Sequence, residues 1–178
     1  MHDSGNIHPA EVALTESNPA HLSSSHPLVV MRFRPAWTYI DGVRDFGEFF
    51  CRTTFTESDV ADRACVVIQE TLENAIKYSV KDPDSELELV ICATEHSIEF
   101  SVTSKPDNAH LGSLREELDR LNHLDPEQAF ISALERAQNS PEASARLGLA
   151  RMRYEGGVDL RLVEQSDGRI RFTAAGKL

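Results

Sequence analysis

Apolar and polar positions follow a helical period most clearly between residues 58 and 80, a stretch without glycine or proline. At about 100° per residue, one set of side chains falls on a single broad arc. Its members are Ala61, Ala64, Cys65, Val67, Ile68, Thr71, Leu72, Ala75, Ile76 and Tyr78. Most of the remaining circumference is polar: Gln69, Glu70, Glu73, Asn74 and Lys77. The pattern predicts a long helix that packs by its wide apolar face.

The edge of this helix carries a carboxylate and an amide one turn apart, Glu70 and Asn74. The two positions differ by about 40° around the axis, so the side chains project as neighbours. Such a pair can orient a water molecule and share a hydrated divalent cation. The alternative interpretation is a core helix with a solvated polar edge, on which Glu73 and Lys77 form an i,i+4 pair.

Two shorter patterns precede this helix. Residues 28–34 are apolar and then alternating, which predicts a strand. Residues 37–40 predict a second short strand or a continuation of the first, and Asp41 and Gly42 break the pattern. Residues 43–53 predict a helix, and Thr56 or Ser58 is expected to cap the long helix that follows.

Downstream, alternating apolar residues predict two β-hairpins separated by helices. The hairpins join residues 86–93 to 97–103 and residues 158–163 to 170–173. Helices are predicted over residues 111–121, from Asp125 as the cap to about 139, and over 143–154, where Gly156 and Gly157 end the last helix.

The composition predicts one soluble globular domain. A chain of 178 residues supports one domain with a proper core, and its net charge of −11 argues against a nucleic-acid partner. No apolar run approaches the ~20 residues that a membrane span needs. Residues 1–25 are polar and predict a flexible leader, which leaves the domain to residues 26–178. The three cysteines lack CxxC spacing and predict reduced thiols in a cytoplasmic protein.

The long helix resembles the N-box helix of the GHKL (Bergerat-fold) ATPase superfamily, in particular histidine-kinase ATPase domains and anti-sigma-factor serine kinases. The family pattern Glu-x-x-x-Asn-Ala-x-x-His/Tyr matches Glu70, Asn74, Ala75 and Tyr78, with Lys77 on the phosphate side. The resemblance implies an α+β fold, a two-layer sandwich with a mixed, mostly antiparallel sheet and helices on one face. It also implies a helical lid at about 109–141, with Glu70 as general base and Asn74 as Mg²⁺ ligand in an active member.

The adenine side of the family's site departs from the pattern. An Asp-x-Gly-x-Gly box is expected at the end of the strand 97–103, but Ser104 stands in place of the Asp. No glycine follows before Gly112, and Pro106 stiffens the loop. In an active protein, Ser104 and Asn108 would be the substitutes around adenine.

The phosphate side departs as well. The Leu-Gly-Leu-Ala core of the second glycine box is kept around Gly148, but Ser144 and Arg146 replace the two glycines that precede it. Those glycines normally present backbone N–H groups to phosphates at a helix N-terminus. Arg146 is either a phosphate contact or a solvated side chain, and Gly148 is either part of the cradle or a close-packing site.

The leading hypothesis is a bacterial signalling regulator that resembles anti-sigma-factor/serine kinase-like proteins and acts by partner switching. The expected partner is a STAS-type anti-anti-sigma protein or a related signalling domain, bound near Glu70, Asn74, Lys77 and the helices of residues 111–134. The altered boxes favour a pseudokinase without a cofactor over a protein that holds Mg-ATP.

Two alternatives stay open. The first is an active Mg-ATP-dependent serine/threonine kinase that phosphorylates a STAS-type partner. The second is a non-catalytic homodimeric scaffold, whose interface would use the aromatic residues of segments 37–39 and 46–50. Aromatic residues are more often part of a core, which is the commoner interpretation of these side chains.

Overall fold

A computed structural model describes residues 28–82, 84–94, 97–139 and 147–177. The elements in chain order are β1 (Val29–Phe33), α1 (Trp37–Thr54), α2 (Ser58–Tyr78), β2 (Leu87–Ala93), β3 (Ser97–Ser104), α3 (Asn108–Asn122), α4 (Pro126–Asn139), α5 (Leu147–Tyr154), β4 (Val158–Glu164) and β5 (Ile170–Lys177). The leader predicted over residues 1–25 lies outside the described residues.

The five strands form one sheet in the order β1-β2-β3-β5-β4. Both predicted hairpins are confirmed: β2 pairs with β3, and β4 pairs with β5. The second hairpin joins the first through β5, which lies beside β3 with Phe100 opposite Ala174. Every pairing among the described strands is antiparallel, whereas the prediction was a mixed, mostly antiparallel sheet. The predicted α+β two-layer fold is confirmed.

The core lies between one face of this sheet and the helices. Alternation along β2 turns Leu87, Leu89 and Ile91 inward, and each is fully buried. Helix α2 meets them with Ile68, Leu72 and Ile76, as its apolar arc predicts. Full burial of a side chain of this size contributes about 1.5–3 kcal/mol. Helix α2 is therefore the main packing partner of the sheet.

The first helix begins earlier than predicted. Residues 37–40 start α1 and do not form a strand, and the helix continues through Gly42. The reason is helical spacing on the buried face, where Ile40, Val43, Gly47 and Cys51 recur at intervals of three and four residues. The α2 cap was also predicted wrongly, because Glu57 occupies the N-cap position and its side chain accepts no hydrogen bond from the helix backbone.

The aromatic residues of α1 lie largely in solvent and not in the core. Trp37, Tyr39 and Phe49 are at least half exposed, and Phe46 is 38% exposed. At 100° per residue, Tyr39, Phe46 and Phe49 share an uncharged face of the helix that lies beside its buried face. The interpretation of these four aromatics as core residues is wrong, whereas Phe50 is partly buried and packs against the core, as that interpretation expects.

The region predicted as a lid contains two packed helices. Asp107 caps α3 by accepting a hydrogen bond from the backbone of Ala109 at 3.0 Å. Asp125 caps α4, as predicted, by accepting from the backbone of Glu127 at 3.0 Å. Leu118 and Leu121 of α3 are buried in the main core. The described part of the predicted lid is therefore packed as part of the domain core. No helix in the described ranges has a stretch long and apolar enough to cross a membrane.

Candidate functional site

Glu70 projects from α2 onto α5, the helix that follows the predicted second glycine box. Its carboxylate lies 3.3 Å from the guanidinium of Arg151, which also binds Glu155 at 2.7 Å. A Cβ atom added to Gly148 would lie 2.1 Å from Oε2 of Glu70. Gly148 therefore acts as a close-packing site, at which an added methyl group would displace the end of the Glu70 side chain.

The surroundings of Glu70 favour its protonated form. The side chain is 13% exposed, and burial raises the pKa of the carboxyl above its ordinary value. The neighbouring Glu73 raises this pKa further, and the Arg151 guanidinium opposes the shift. A carboxyl with a raised pKa suits a general base, but here Arg151 already binds it.

Asn74 faces a different space from Glu70. It is 7% exposed, and its Nδ2 atom has no hydrogen-bond partner among the described residues. With Ser104 and Leu114 it lines a cavity of about 20 Å³ between α2, the end of β3 and α3. The other walls are mostly apolar: Ala75, Tyr78, Val102, Ile170 and Phe172. The structure therefore joins two predicted site residues, Asn74 and Ser104, in one small cavity.

The loop that replaces the adenine-side glycine box is bonded to the end of α2. The backbone N–H of Val80 donates to Lys105 at 3.0 Å, and that of Asp107 donates to Tyr78 at 2.8 Å. Pro106 is buried between these bonds and bridges to Ser79. Because both anchors are backbone bonds, the loop cannot move outward without breaking them.

The described adenine side does not fit a purine base. A cavity of about 20 Å³ has room for about one water molecule. Pockets for small molecules typically measure about 300–1,000 Å³. An open groove of about 480 Å³ lies at the other end of β2 and β3, but no predicted site residue lines it. Among the described residues, no group of three or more His, Cys, Asp or Glu could hold a metal ion.

The other predicted site residues are dispersed. The Nζ atom of Lys77 lies 4.9 Å from the ring centroid of Tyr78, whose ring meets that of His110 edge-on. Asn108 is exposed at the first turn of α3 and does not line the cavity. Arg146 lies outside the described residues, so its assignment stays a prediction.

Ion pairs and hydrogen bonds connect α3 to α4 and α5 and stabilise its position beside the cavity. Glu117 is 4% exposed and binds Arg120 on its own helix and Arg136 on α4, the latter at 3.2 Å. Although burial alone would raise the pKa of Glu117, hydrogen bonds from the two arginines lower it below 4.5. Arg153 of α5 donates to the carbonyls of Leu121 and Leu124, where α3 ends.

Sequence reasoning missed three of these contributors. Arg151 was given no role, because no local spacing connects it with Glu70, which lies 81 residues earlier in the sequence. Asp107 precedes a predicted helix and could have been identified as its cap. The burial of Glu117 leaves only a weak signal, an arginine three residues later.

The chain is similar to a known protein in its fold. No protein-family profile matches the chain, and no curated protein matches it. The fold resembles one chain of the crystal structure of the SiaB-SiaC complex from Pseudomonas aeruginosa, with a TM-score of 0.60. The match covers 85% of this chain and 91% of that chain at 17% sequence identity. At this identity the likeness shows a shared fold.

The contact between Gly148 and Glu70 predicts that substitutions at these two positions have coupled effects on the free energy of unfolding. Gly148→Ala should lower the free energy of unfolding by about 1 kcal/mol or less, because the new methyl group moves the Glu70 carboxylate away from Arg151 while alanine favours the helix. The same change in a Glu70→Ala background should cost less than half as much, because the clash is gone. Urea denaturation of both single variants and the double variant measures the coupling. Gly112→Ala is the control, since its Cβ would meet nothing within 4 Å. Equal costs of Gly148→Ala in the two backgrounds would contradict the contact.

The lowered pKa of Glu117 predicts that this residue's contribution to the free energy of unfolding depends on pH. Its folded pKa is lowered, so its contribution is present above the unfolded value of 4.5 and is lost as the pH falls through the folded pKa. Glu117→Gln should lower the free energy of unfolding near neutral pH by about 2–3 kcal/mol. The difference from the wild type should shrink steadily below pH 4.5. Denaturation across this pH range tests it, with the exposed neighbour Glu116→Gln as control; a deficit that does not change with pH would refute it.

Proposed function

We propose that this protein is a bacterial signalling regulator that binds a protein partner and has lost or weakened nucleotide binding. In this proposal it resembles anti-sigma-factor/serine kinase-like proteins, acts by partner switching and is a pseudokinase. Its partner is a STAS-type anti-anti-sigma protein or a related signalling domain.

The observation that carries this proposal is the small cavity beside Asn74. The resemblance implies an adenine site at this place, and the space of about 20 Å³ admits no purine. Leu114 of α3 lines it, and the loop of residues 105–107, which is bonded to the end of α2, leads into α3. A site closed by core packing and backbone bonds suits a protein whose task is binding and not phosphoryl transfer.

A protein partner is supported by the fold comparison. The similar chain comes from a complex of two proteins, SiaB and SiaC. By extension we propose that this chain also binds a partner protein, and that the partner binds at helices α3 and α4. Ile131 and Leu134 of α4 are 48% and 38% exposed and lie one turn apart on the helix. This pair, the lid patch, is the docking point that we favour, because it is where the described part of the predicted lid exposes large apolar side chains.

The aromatic face of α1 supports a second candidate, the homodimeric scaffold. Phe49 is 67% exposed, and no charged residue interrupts the face that it shares with Tyr39 and Phe46. Exposed contiguous apolar surface of this kind often marks an interaction site. The lid patch and the α1 face lie on different elements, so surface variants separate the two candidates.

The first experiment is a calorimetric titration of the purified protein with Mg-ATP and with Mg-ADP. The proposal predicts no binding heat at millimolar nucleotide, because the cavity stays closed. Micromolar binding that is lost in Asn74→Ala but kept in the exposed control Asn122→Ala would refute it. That outcome would revive the kinase alternative, in which Glu70 is the base, and a test of Glu70→Ala for partner phosphorylation would follow.

The second experiment maps the partner surface. Ile131→Asp with Leu134→Asp should weaken binding of a co-eluting STAS-type protein at least tenfold, since charge in an interface centre costs more than about 1.4 kcal/mol. Phe49→Asp on α1 should leave this affinity unchanged and reduce only self-association. Affinity by titration and mass by light scattering separate the two effects. If none of the STAS-type proteins tested co-elutes with this protein, the result would count against the proposal. If only Phe49→Asp loses binding to the partner, the docking point lies on α1.

A further inference from the structure

Helices α1 and α2 are in close contact at Gly47. A Cβ atom added there would lie 2.4 Å from Cδ1 of Ile68, so α2 packs onto the bare backbone of α1 at this level. Nearer the turn that joins the two helices, Arg52 of α1 binds Asp62 of α2 at 2.9 Å. The short connection makes the helices antiparallel, so these two contacts fix their register.

Cys51 and Cys65 lie between those contacts. Cys51 follows Gly47 by one turn, and Cys65 precedes Ile68 by about one turn, which places the two cysteines at the same level of the helix pair. Cys51 is fully buried and Cys65 is partly buried. Cys51 and Cys65 are close enough to influence each other's pKa, although burial is the larger influence on both.

We propose that Cys51 and Cys65 form an oxidative modification site, at which a peroxide converts the thiol pair into a disulfide that joins α1 to α2. Close helix packing at Gly47 and the Arg52–Asp62 bond keep the two sulfurs together. Cys92, the third cysteine, lies on β2 in the sheet and takes no part.

The chemistry assigns different roles to the two thiols. The partly exposed Cys65 sulfur attacks a peroxide oxygen, the O–O bond breaks, and the products are a sulfenic acid and water. The Cys51 sulfur then attacks the sulfenic sulfur, the S–O bond breaks, and a second water leaves. The two thiols lose two electrons and two protons, and the peroxide is reduced to two water molecules. The positive charge of the nearby Arg52 helps Cys65 to act as the thiolate.

The reaction is slow and depends on pH. Burial raises the pKa of Cys51 to about 12 and raises that of Cys65, while the nearby Arg52 lowers both. Few thiolates are therefore present at neutral pH, and thiolates are the reactive form. The site responds to sustained oxidation and reacts faster as the pH rises.

The test exposes the reduced protein to hydrogen peroxide at neutral and at alkaline pH, and then maps the peptides without reductant. We expect a Cys51–Cys65 cross-link that forms faster at alkaline pH and is reversed by dithiothreitol. The melting temperature of the cross-linked protein should rise by roughly 5–10 °C, because the disulfide restrains the unfolded chain.

Because Cys51 is fully buried, a substitution there would disturb the core. The test therefore uses variants at Cys65 and Cys92. Cys92→Ser should leave both the cross-link and the thermal shift unchanged, whereas Cys65→Ser should abolish both. Two results would overturn the proposal. One is oxidation of Cys65 to the sulfinic or sulfonic acid while Cys51 stays a thiol, and the other is disulfides only between molecules or only to Cys92.

Discussion

Two backbone hydrogen bonds at the end of α2 determine the shape of the candidate site. They join Val80 to Lys105 and Tyr78 to Asp107, so the segment after β3 is held against the helix. Asp107 then caps α3 and sets its starting direction. From this point α3 places Leu114 over Asn74, and the space between them is small. The start of α3 thus depends on a three-residue connection, and the ion pairs of Glu117 and the buried leucines hold the rest of the helix.

The polar edge of α2 is divided between two environments. Glu70 engages α5 through Gly148 and Arg151, and Asn74 engages the cavity beneath α3. A partner that displaced α3 or α5 would change the surroundings of one or both residues. Helix α2 therefore connects the core of the sheet to the surface that we assign to the partner.

Periodicity predicted much of the fold, because α2 and the two hairpins bury one face each and their patterns are regular. It failed at residues 37–40, where aromatic and β-branched residues have high strand propensity but tertiary packing favours the helix. The pair of Glu70 and Asn74 was visible as a local spacing. The contacts of Arg151 with Glu70 and of Arg136 with Glu117 were not, because they join residues far apart in the sequence.

The exposed aromatic face of α1 has a consequence for the behaviour of the protein in solution. Association through the face of Phe49 would gain from the hydrophobic effect, whereas a net charge of −11 on each chain repels other copies. The repulsion is long-ranged only in dilute salt, since screening shortens it to about 8 Å at physiological ionic strength. Added salt therefore weakens the force that keeps copies of this chain apart.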